Sequence, residues 1–189
     1  MINTKGNSME SSNENKSAWE AFPPEYLVKL KEIIGEDDFE KLNNILTLYN
    51  LFAEKAFQEP AELIDENPCN YALNRDLSMG LFNLSNFLGS VGNQLGQSDQ
   101  DDYIDDALDI LRISLRINPE NLASRMTLAL LCYCFSDLQE EAVKQANLTL
   151  ETLDKMPSAV PEDAIEDMRS KMNIIIEGKD FDYPDEEEE

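Results

Sequence analysis

The sequence predicts an all-α fold, and three of its features support this assignment. Apolar residues recur at spacings of three and four along most of the chain between Tyr26 and Ile176, which is the period of one buried helix face. Prolines and several glycines fall where these stretches stop, as at helix ends. The alternation with a period of two that indicates a half-buried strand is not found in the sequence.

The N-terminal part predicts a tail followed by two helices. Residues 1–17 are rich in Asn, Ser, Glu and Lys and have no apolar period, so we expect them to be disordered. Pro23 and Pro24 introduce a short helix that ends at Gly35. A longer helix follows from Asp37 until Pro60 stops it, and its predicted buried face consists of Phe39, Leu42, Leu46, Tyr49, Ala53 and Ala56.

The middle of the chain predicts two helices joined by a polar loop at residues 93–102. The helix before the loop contains Gly80, Gly89 and Gly92, each of which costs about 1 kcal/mol relative to alanine unless another helix packs closely there. The helix after the loop carries two apolar stripes, so we expect neighbours on two of its sides. The stripes are Ile104, Ala107, Leu108, Leu111 and Leu115, and Ile110, Ile113 and Ile117.

Three further helices are predicted at residues 122–135, at 138–153, and from Pro161 to Gly178. The last has a single apolar stripe and acids in its first turn, which is typical of a helix that caps a stack. Acids dominate the remaining residues, so we expect a disordered tail there. The predicted organisation is a tail at 1–17, one helical domain at 18–178 and an acidic tail at 179–189. Within the domain we expect N-terminal helices at 18–70, hairpins at 71–157 and the capping helix at 161–178.

A short string occurs twice, at residues 66–72 and 117–123, and places Asn-Pro-x-Asn-x-Ala between helices. Around the second copy, the sequence ALDILRISLRINPENLASRMTLALL resembles a tetratricopeptide repeat. This unit has about 34 residues and folds as a helix-turn-helix with small residues where its helices touch. The matching positions are Ala107, Leu111, Ser114, Pro119, Leu128, Ala129, Ala142, Ala146 and Pro157.

The resemblance covers about residues 79–157. It implies a stack of antiparallel helical hairpins, with an N-terminal helical extension and a C-terminal capping helix. Two features depart from the repeat, because the segment before Ala107 is longer than in the family and the usual Trp and Tyr positions are not filled. An irregular helical bundle is the alternative, since Asn-Pro-x-Asn is also a common way to end one helix and cap the next.

The charge of the chain restricts its partners. Asp and Glu number 39 and Lys and Arg 15, which gives a net charge of −24. Such a field repels phosphate backbones and anionic lipids and attracts cationic surfaces, so we expect neither nucleic acid nor a membrane as partner. No apolar run approaches the roughly 18 residues of a membrane span, and residues 1–16 lack the apolar region of a signal peptide. We therefore expect a cytoplasmic protein, in which Cys69, Cys132 and Cys134 are free thiols.

The sequence offers little for catalysis or for metal binding. It has no histidine, no nucleophile motif and no phosphate-binding glycine loop, so we expect a protein that is not an enzyme and needs no cofactor. Cys132 and Cys134 lie about 200° apart around a helix and cannot readily share an ion, so we interpret them as small buried residues. The acids at residues 99–106 lack the central glycine and final glutamate of a calcium-binding loop.

The resemblance also implies a binding surface. In tetratricopeptide proteins the first helix of each unit lines the groove, which corresponds here to Ala123, Met126, Leu130 and Tyr133, with Arg125 beside them. An apolar groove with an aromatic edge would bind a helix or an extended apolar segment of a partner. The alternative is that a neighbouring helix covers these residues as core.

The predicted function is therefore that of a scaffold, chaperone-like or immunity-type binding module. We expect its partner to be another protein with a basic or apolar recognition segment. One alternative is an acidic decoy that imitates nucleic acid towards a basic protein. The other is an enzyme that depends on carboxylates alone, although no single pair can be chosen among so many acids.

Overall fold

A computed structural model of the chain describes Trp19 and residues 22–58, 72–94, 97–155 and 161–181. These residues form eight α-helices and no strand, which confirms the all-α prediction. Each helix packs against the next one in the chain. In order, the helices are α1 (Pro24–Ile34), α2 (Glu36–Leu48), α3 (Asn50–Gln58), α4 (Ala72–Gln94), α5 (Gln97–Ile117), α6 (Leu122–Tyr133), α7 (Gln139–Leu153) and α8 (Glu162–Glu177).

Several sequence expectations fall on residues outside this description. They are the tail at residues 1–17, almost all of the first Asn-Pro-x-Asn string at 66–72, the thiol of Cys69, Pro157, and residues 182–189 of the acidic tail. The described part of that tail, residues 179–181, follows α8 directly.

Glycines end α1 and α8 as the sequence predicts. Gly35 has a φ of 87°, a conformation that side-chain-bearing residues rarely adopt, and its N–H donates to the Lys31 carbonyl at 2.9 Å. Gly178 is left-handed, with φ 64° and ψ 35°. The next N–H, from Lys179, donates to the Ile174 carbonyl at 3.1 Å, which completes a Schellman motif.

The single helix predicted between Asp37 and Pro60 is interrupted at Tyr49, which has a φ of −105° and a ψ of 32°. The hydroxyl of Thr47 donates to the Asn43 carbonyl at 2.7 Å, and such bonds bend helices. The interruption is slight, because the Tyr49 N–H still donates to the Ile45 carbonyl and the Tyr49 carbonyl accepts from Ala53, both at 2.9 Å. Consequently α2 and α3 continue in nearly the same register.

The predicted loop at residues 93–102 is wrong over most of its length. Helix α4 continues to Gln94, and α5 begins at Gln97, seven residues before the first apolar residue of its stripe. The acids that indicated a loop lie instead at the start of α5. Negative charge is favourable near a helix N-terminus, so a polar, acidic sequence is also compatible with the first turns of a helix.

Two apolar cores share α5. The first is built by helices α1 to α5 and the second by α5 to α8. Helix α5 therefore contacts neighbours on two sides, as its two stripes predict. Its residues in the first core are Ala107, Ile110, Ile113 and Ile117, and those in the second are Ile104, Leu108 and Leu111.

Small residues lie where helices meet. The four alanines at positions 107, 129, 142 and 146 are completely buried. Gly80 of α4 lies against the ring of Phe57 on α3 so closely that a Cβ would overlap the ring. A close neighbour therefore offsets the cost of glycine at Gly80. At Gly89 a Cβ would meet no described atom within 4 Å, so the cost of this glycine is not offset.

A buried polar network fixes the turn at residues 118–121. The side-chain oxygen of Asn121 accepts from the Ser124 N–H at 3.0 Å and so caps α6. Its amide nitrogen donates to the Ser78 hydroxyl of α4 at 3.1 Å. The Ser114 hydroxyl of α5 lies 2.8 Å from that of Ser124 and donates to the Ser78 carbonyl at 3.0 Å. The second Asn-Pro-x-Asn string thus joins three helices.

Candidate protein-binding surfaces

The residues that the resemblance assigns to a groove lie on α6, a helix with neighbours on several sides. Helix α6 packs against α4, α5, α7 and α8, and every one of its residues is buried or half-buried. Ala123 is buried at 4% exposure. Met126 and Leu130 are half-buried and pack against the second core. These side chains therefore present only part of their surface to solvent.

Residues 179–181 cover the aromatic edge of this α6 surface. The Tyr133 hydroxyl donates to the Lys179 carbonyl at 2.9 Å. The Tyr133 ring meets the ring of Phe181 edge-on, with 5.8 Å between their centroids. The Schellman turn at Gly178 directs the chain into this position. The segment after α8 therefore lies against the same residue that the resemblance assigns to partner binding.

Arg125 serves mainly internal contacts. Its Nη1 donates to Gln145 Oε1 at 3.3 Å, and its Nη2 donates to the Pro119 carbonyl. Burial lowers the pKa of its guanidinium, although the nearby Glu151 acts in the opposite direction. The Arg125 side chain therefore links α6 to α7 and to the turn that precedes α6.

The bases nearest to α5 are already neutralised by acids. Lys41 of α2 lies 2.8 Å from Asp109, and this hydrogen bond raises the pKa of the Lys41 amine. Arg116 forms an ion pair with Asp38 of α2. Each of these cations neutralises the acid with which it is paired. The remaining acids on α2 and α5 therefore still produce a negative field.

A different surface, at the junction of α2 and α3, exposes large apolar side chains. Leu48 is 70% exposed, Leu51 80% and Phe52 37%. Positions three and four residues apart share one helix face, so these three lie together, and we call them the apolar corner. The centroid of the Phe52 ring lies 6.3 Å from that of the Phe87 ring, so the apolar corner also contacts α4.

An open cleft of about 460 Å³ extends from the apolar corner along α2. Leu48 lines one end, and Asp37 and Glu40 line the other, which we call the acidic end. Lys41 also lines the cleft, but its charge is paired with Asp109 at 2.8 Å. Neither of these acids forms an ion pair with another described residue. Asp106 of α5 forms part of the wall, and it accepts a hydrogen bond from the Tyr49 hydroxyl at 2.7 Å. The cleft is therefore apolar at one end and negative at the other.

The resemblance and the buried helical period do not predict the apolar corner, although the sequence contains a signal for it. The buried face of residues 37–56 is set by Leu42, Leu46 and Ala53, which recur at helical spacing. Leu48 and Leu51 do not belong to that series and fall on the opposite face. Apolar residues outside the buried period of an amphipathic helix indicate a second contact surface or an exposed one.

The cysteines differ in environment. Cys132 is completely buried, whereas Cys134 is exposed, so the expectation that both are buried is wrong for Cys134. Burial, together with the carboxylate of Glu141, raises the pKa of the Cys132 thiol to about 12. Among the residues that the structure describes, no three acidic or cysteine side chains are grouped to hold a metal ion. Within that same part of the chain, no helix is both long and apolar enough to cross a bilayer.

Comparison with protein-family models gave no match, and neither the curated proteins nor the solved structures gave a significant one. The fold therefore defines the class only as an all-α protein. Any assignment of function depends on the surfaces described above.

Proposed function

We propose that the protein is a binding module without catalytic activity, which recruits a partner protein through the apolar corner and the adjoining cleft. The main support for this proposal is the exposure of Leu48 and Leu51 to solvent. Two leucines left largely in solvent next to each other are typical of a contact surface, particularly when polar residues surround them. The α6 residues provide weaker support, because Met126 and Leu130 are half-buried in the second core.

The proposal includes a tetratricopeptide-like stack as the scaffold. Alternate helices are in contact, α4 with α6 and α6 with α8, in addition to the contacts between consecutive helices. The complete burial of the four alanines at positions 107, 129, 142 and 146 also supports close stacking. A stack of this kind holds its surfaces rigidly, which limits the entropy lost when a partner binds.

The charge of the chain favours a cationic partner. A net charge of −24 accelerates encounter with a basic surface and slows encounter with an acidic one. This attraction is long-ranged and is screened by salt, whereas contact with the apolar corner is not. The two parts of the recognition surface can therefore be separated experimentally.

The test is a selection of peptides from a displayed library, with the purified chain as bait. The selected peptides are then measured against the variant Leu48→Asp/Leu51→Asp and against Val28→Asp, a control at a side chain of α1 that is 62% exposed. We expect the double variant to weaken binding at least tenfold and the control to leave it unchanged. Circular dichroism of each variant verifies that the fold is retained.

Association rates at low and high salt provide the second readout. We expect association to slow as salt increases while dissociation changes little, because the steering field is screened and the apolar contact is not. Peptides that bind the double variant as well as the unchanged chain would overturn the proposal. Such a result would indicate another surface, or attraction by charge alone as an acidic decoy would show.

A further inference from the structure

One stripe of exposed side chains runs along α2 and onto α3, and its character changes along its length. Asp37, Glu40, Asn44, Leu48 and Leu51 are all exposed, and they follow one another at spacings of three or four residues. This spacing places them on one helix face. The face begins with acids and ends with leucines.

The stripe continues across the interruption at Tyr49. Backbone hydrogen bonds of the helical type join Tyr49 to Ile45 and Ala53 to Tyr49, each at 2.9 Å. The end of α2 and the start of α3 therefore present Leu48 and Leu51 towards the same side. At about 1.5 Å per residue, the acid at position 37 lies roughly 16 Å from Leu48, and the acid at position 40 roughly 12 Å.

This geometry restricts what can fill the cleft. Its walls come from two helices, α2 and α5, and grooves between helices commonly bind an amphipathic helix. Apolar side chains of such a helix would contact Leu48, Leu51 and Phe52. A separation of about 12 to 16 Å corresponds to between two and three helical turns, so matching cations would lie eight to eleven residues from the apolar anchors.

Charge argues against two other occupants. A second copy of this chain would bring the same acids, Asp37 and Glu40, and the same net charge of −24 to the contact. An anionic membrane would be repelled in the same way. A cationic helix is attracted by the acidic end, where two carboxylates have no ionic partner among the described residues.

We infer that the partner segment is a basic amphipathic helix that binds along α2 in one orientation. Its apolar anchors lie on the apolar corner, and its Lys or Arg side chains lie over Glu40 and Asp37. The inference rests on the proposed binding function and adds the class and the direction of the ligand.

Three synthetic helical peptides of equal length test the inference. The first carries an apolar pair with two lysines eight and eleven residues away on the same face. The second has the same composition but places the lysines three and four residues from the pair, and the third has glutamine in place of both lysines. We expect the first peptide to bind about five- to tenfold more tightly than the other two at low salt, since each exposed ion pair contributes modestly.

The protein variants have a matched control. Asp37→Asn/Glu40→Gln should abolish the preference for the first peptide over the second. Glu25→Gln/Glu32→Gln removes the same charge from exposed positions of α1, and Glu25 lies in a first helical turn as Asp37 does. We expect less than a twofold change for this control. An equal loss in both double variants would overturn the inference, because it would show attraction by net charge only.

Orientation has its own measurement. A nitroxide label at the lysine end of the first peptide should broaden the amide NMR signals of residues at the start of α2. A label at its apolar end should broaden the signals of residues at the start of α3. The reverse pattern would overturn the inference, and so would a dimer of the protein itself that Leu48→Asp dissociates. If the three peptides bind equally but still require Leu48, the inference fails while the proposed function stands.

Discussion

Arg112 of α5 and Glu141 of α7 form an ion pair through two contacts. The Arg112 Nε lies 3.1 Å from Glu141 Oε1, and Nη2 lies 2.6 Å from Oε2. Arg112 also lies 3.4 Å from Asp109 on its own helix. Because α5 contributes to both cores, the pair links α7 to the helix that the two cores share.

Removal of this ion pair should destabilise the protein. We expect Glu141→Gln to lower the free energy of unfolding by roughly 1–2 kcal/mol, between the values typical of exposed and of buried pairs, since both side chains are partly exposed. Urea unfolding monitored by circular dichroism measures this change. Glu140→Gln is the control, because Glu140 is exposed and lies in the same first turn of α7. A loss of equal size in the control would contradict the role of the pair.

The ion pair also predicts a pH dependence. The hydrogen bond from Arg112 holds the pKa of the Glu141 carboxyl below its ordinary value, although burial acts in the opposite direction. A depressed pKa in the folded state stabilises the protein above the unfolded-state pKa of about 4.3. That stabilisation disappears as the pH falls through the folded-state pKa. The stability difference between wild type and Glu141→Gln should therefore be constant near neutral pH and shrink below about pH 4.3. A difference that grows towards acid pH would contradict this account.

Two glycines of α4 should respond in opposite directions to the same change. Gly80→Ala should lower the free energy of unfolding by roughly 1–3 kcal/mol, because the new Cβ would overlap the Phe57 ring, which Phe22 also contacts. Gly89→Ala should raise it by about 0.5–1 kcal/mol, since its Cβ would meet no described neighbour and alanine favours the helix. Thermal unfolding of both variants measures the difference.

A double variant tests the assigned cause. In a Phe57→Ala background, the ring that blocks the new Cβ is absent, and Gly80→Ala should no longer destabilise the protein. If the loss persists without the ring, the contact with α3 is not its origin.

The sequence predicts a helix well where one of its faces is buried, because apolar residues then recur every three or four positions. The two stripes of α5 predict its two cores, except that Ala107 lies in the core of the other stripe, because side chains in contact with a neighbour are mostly apolar. Helix ends are predicted where the backbone requires glycine, as at Gly35 and Gly178. These features depend on local chemistry, which the sequence shows directly.

Other features depend on packing at long range. The polar residues before Ile104 are equally compatible with a loop and with a solvated first turn of α5, so local polarity could not distinguish them. The exposure of a candidate site also follows from the complete fold. Helix α6 has neighbours on several sides, whereas no helix of the described part of the chain covers Leu48 and Leu51 on α2 and α3. Periodicity indicates that a face is apolar but does not tell which element covers it.

The N-cap of α6 should contribute more to the free energy of unfolding than an ordinary exposed cap does. Asn121 is 2% exposed, and besides capping the helix it donates to the Ser78 hydroxyl. We expect Asn121→Ala to lower the free energy of unfolding by roughly 2–3 kcal/mol, because both bonds are lost in a buried site. Asn121→Ser keeps a capping oxygen and should lose about half as much. Asn147→Ala, at an exposed site on α7, should be close to neutral. Equal stability of the Ala and Ser variants would show that the cap contributes nothing.

The two described cysteines should differ sharply in reactivity. In a Cys69→Ser background, which removes the third thiol, an aromatic disulfide reagent at pH 8 should modify one thiol rapidly in the folded protein. This thiol is Cys134, because it is exposed, and Cys134→Ser should remove the fast phase. Cys132 is completely buried, and a pKa of about 12 leaves only about one thiol in ten thousand ionised at pH 8. It should therefore react only when the second core opens, at a rate that increases with urea. Rapid modification of two thiols in the folded state would contradict the position of Cys132 in that core.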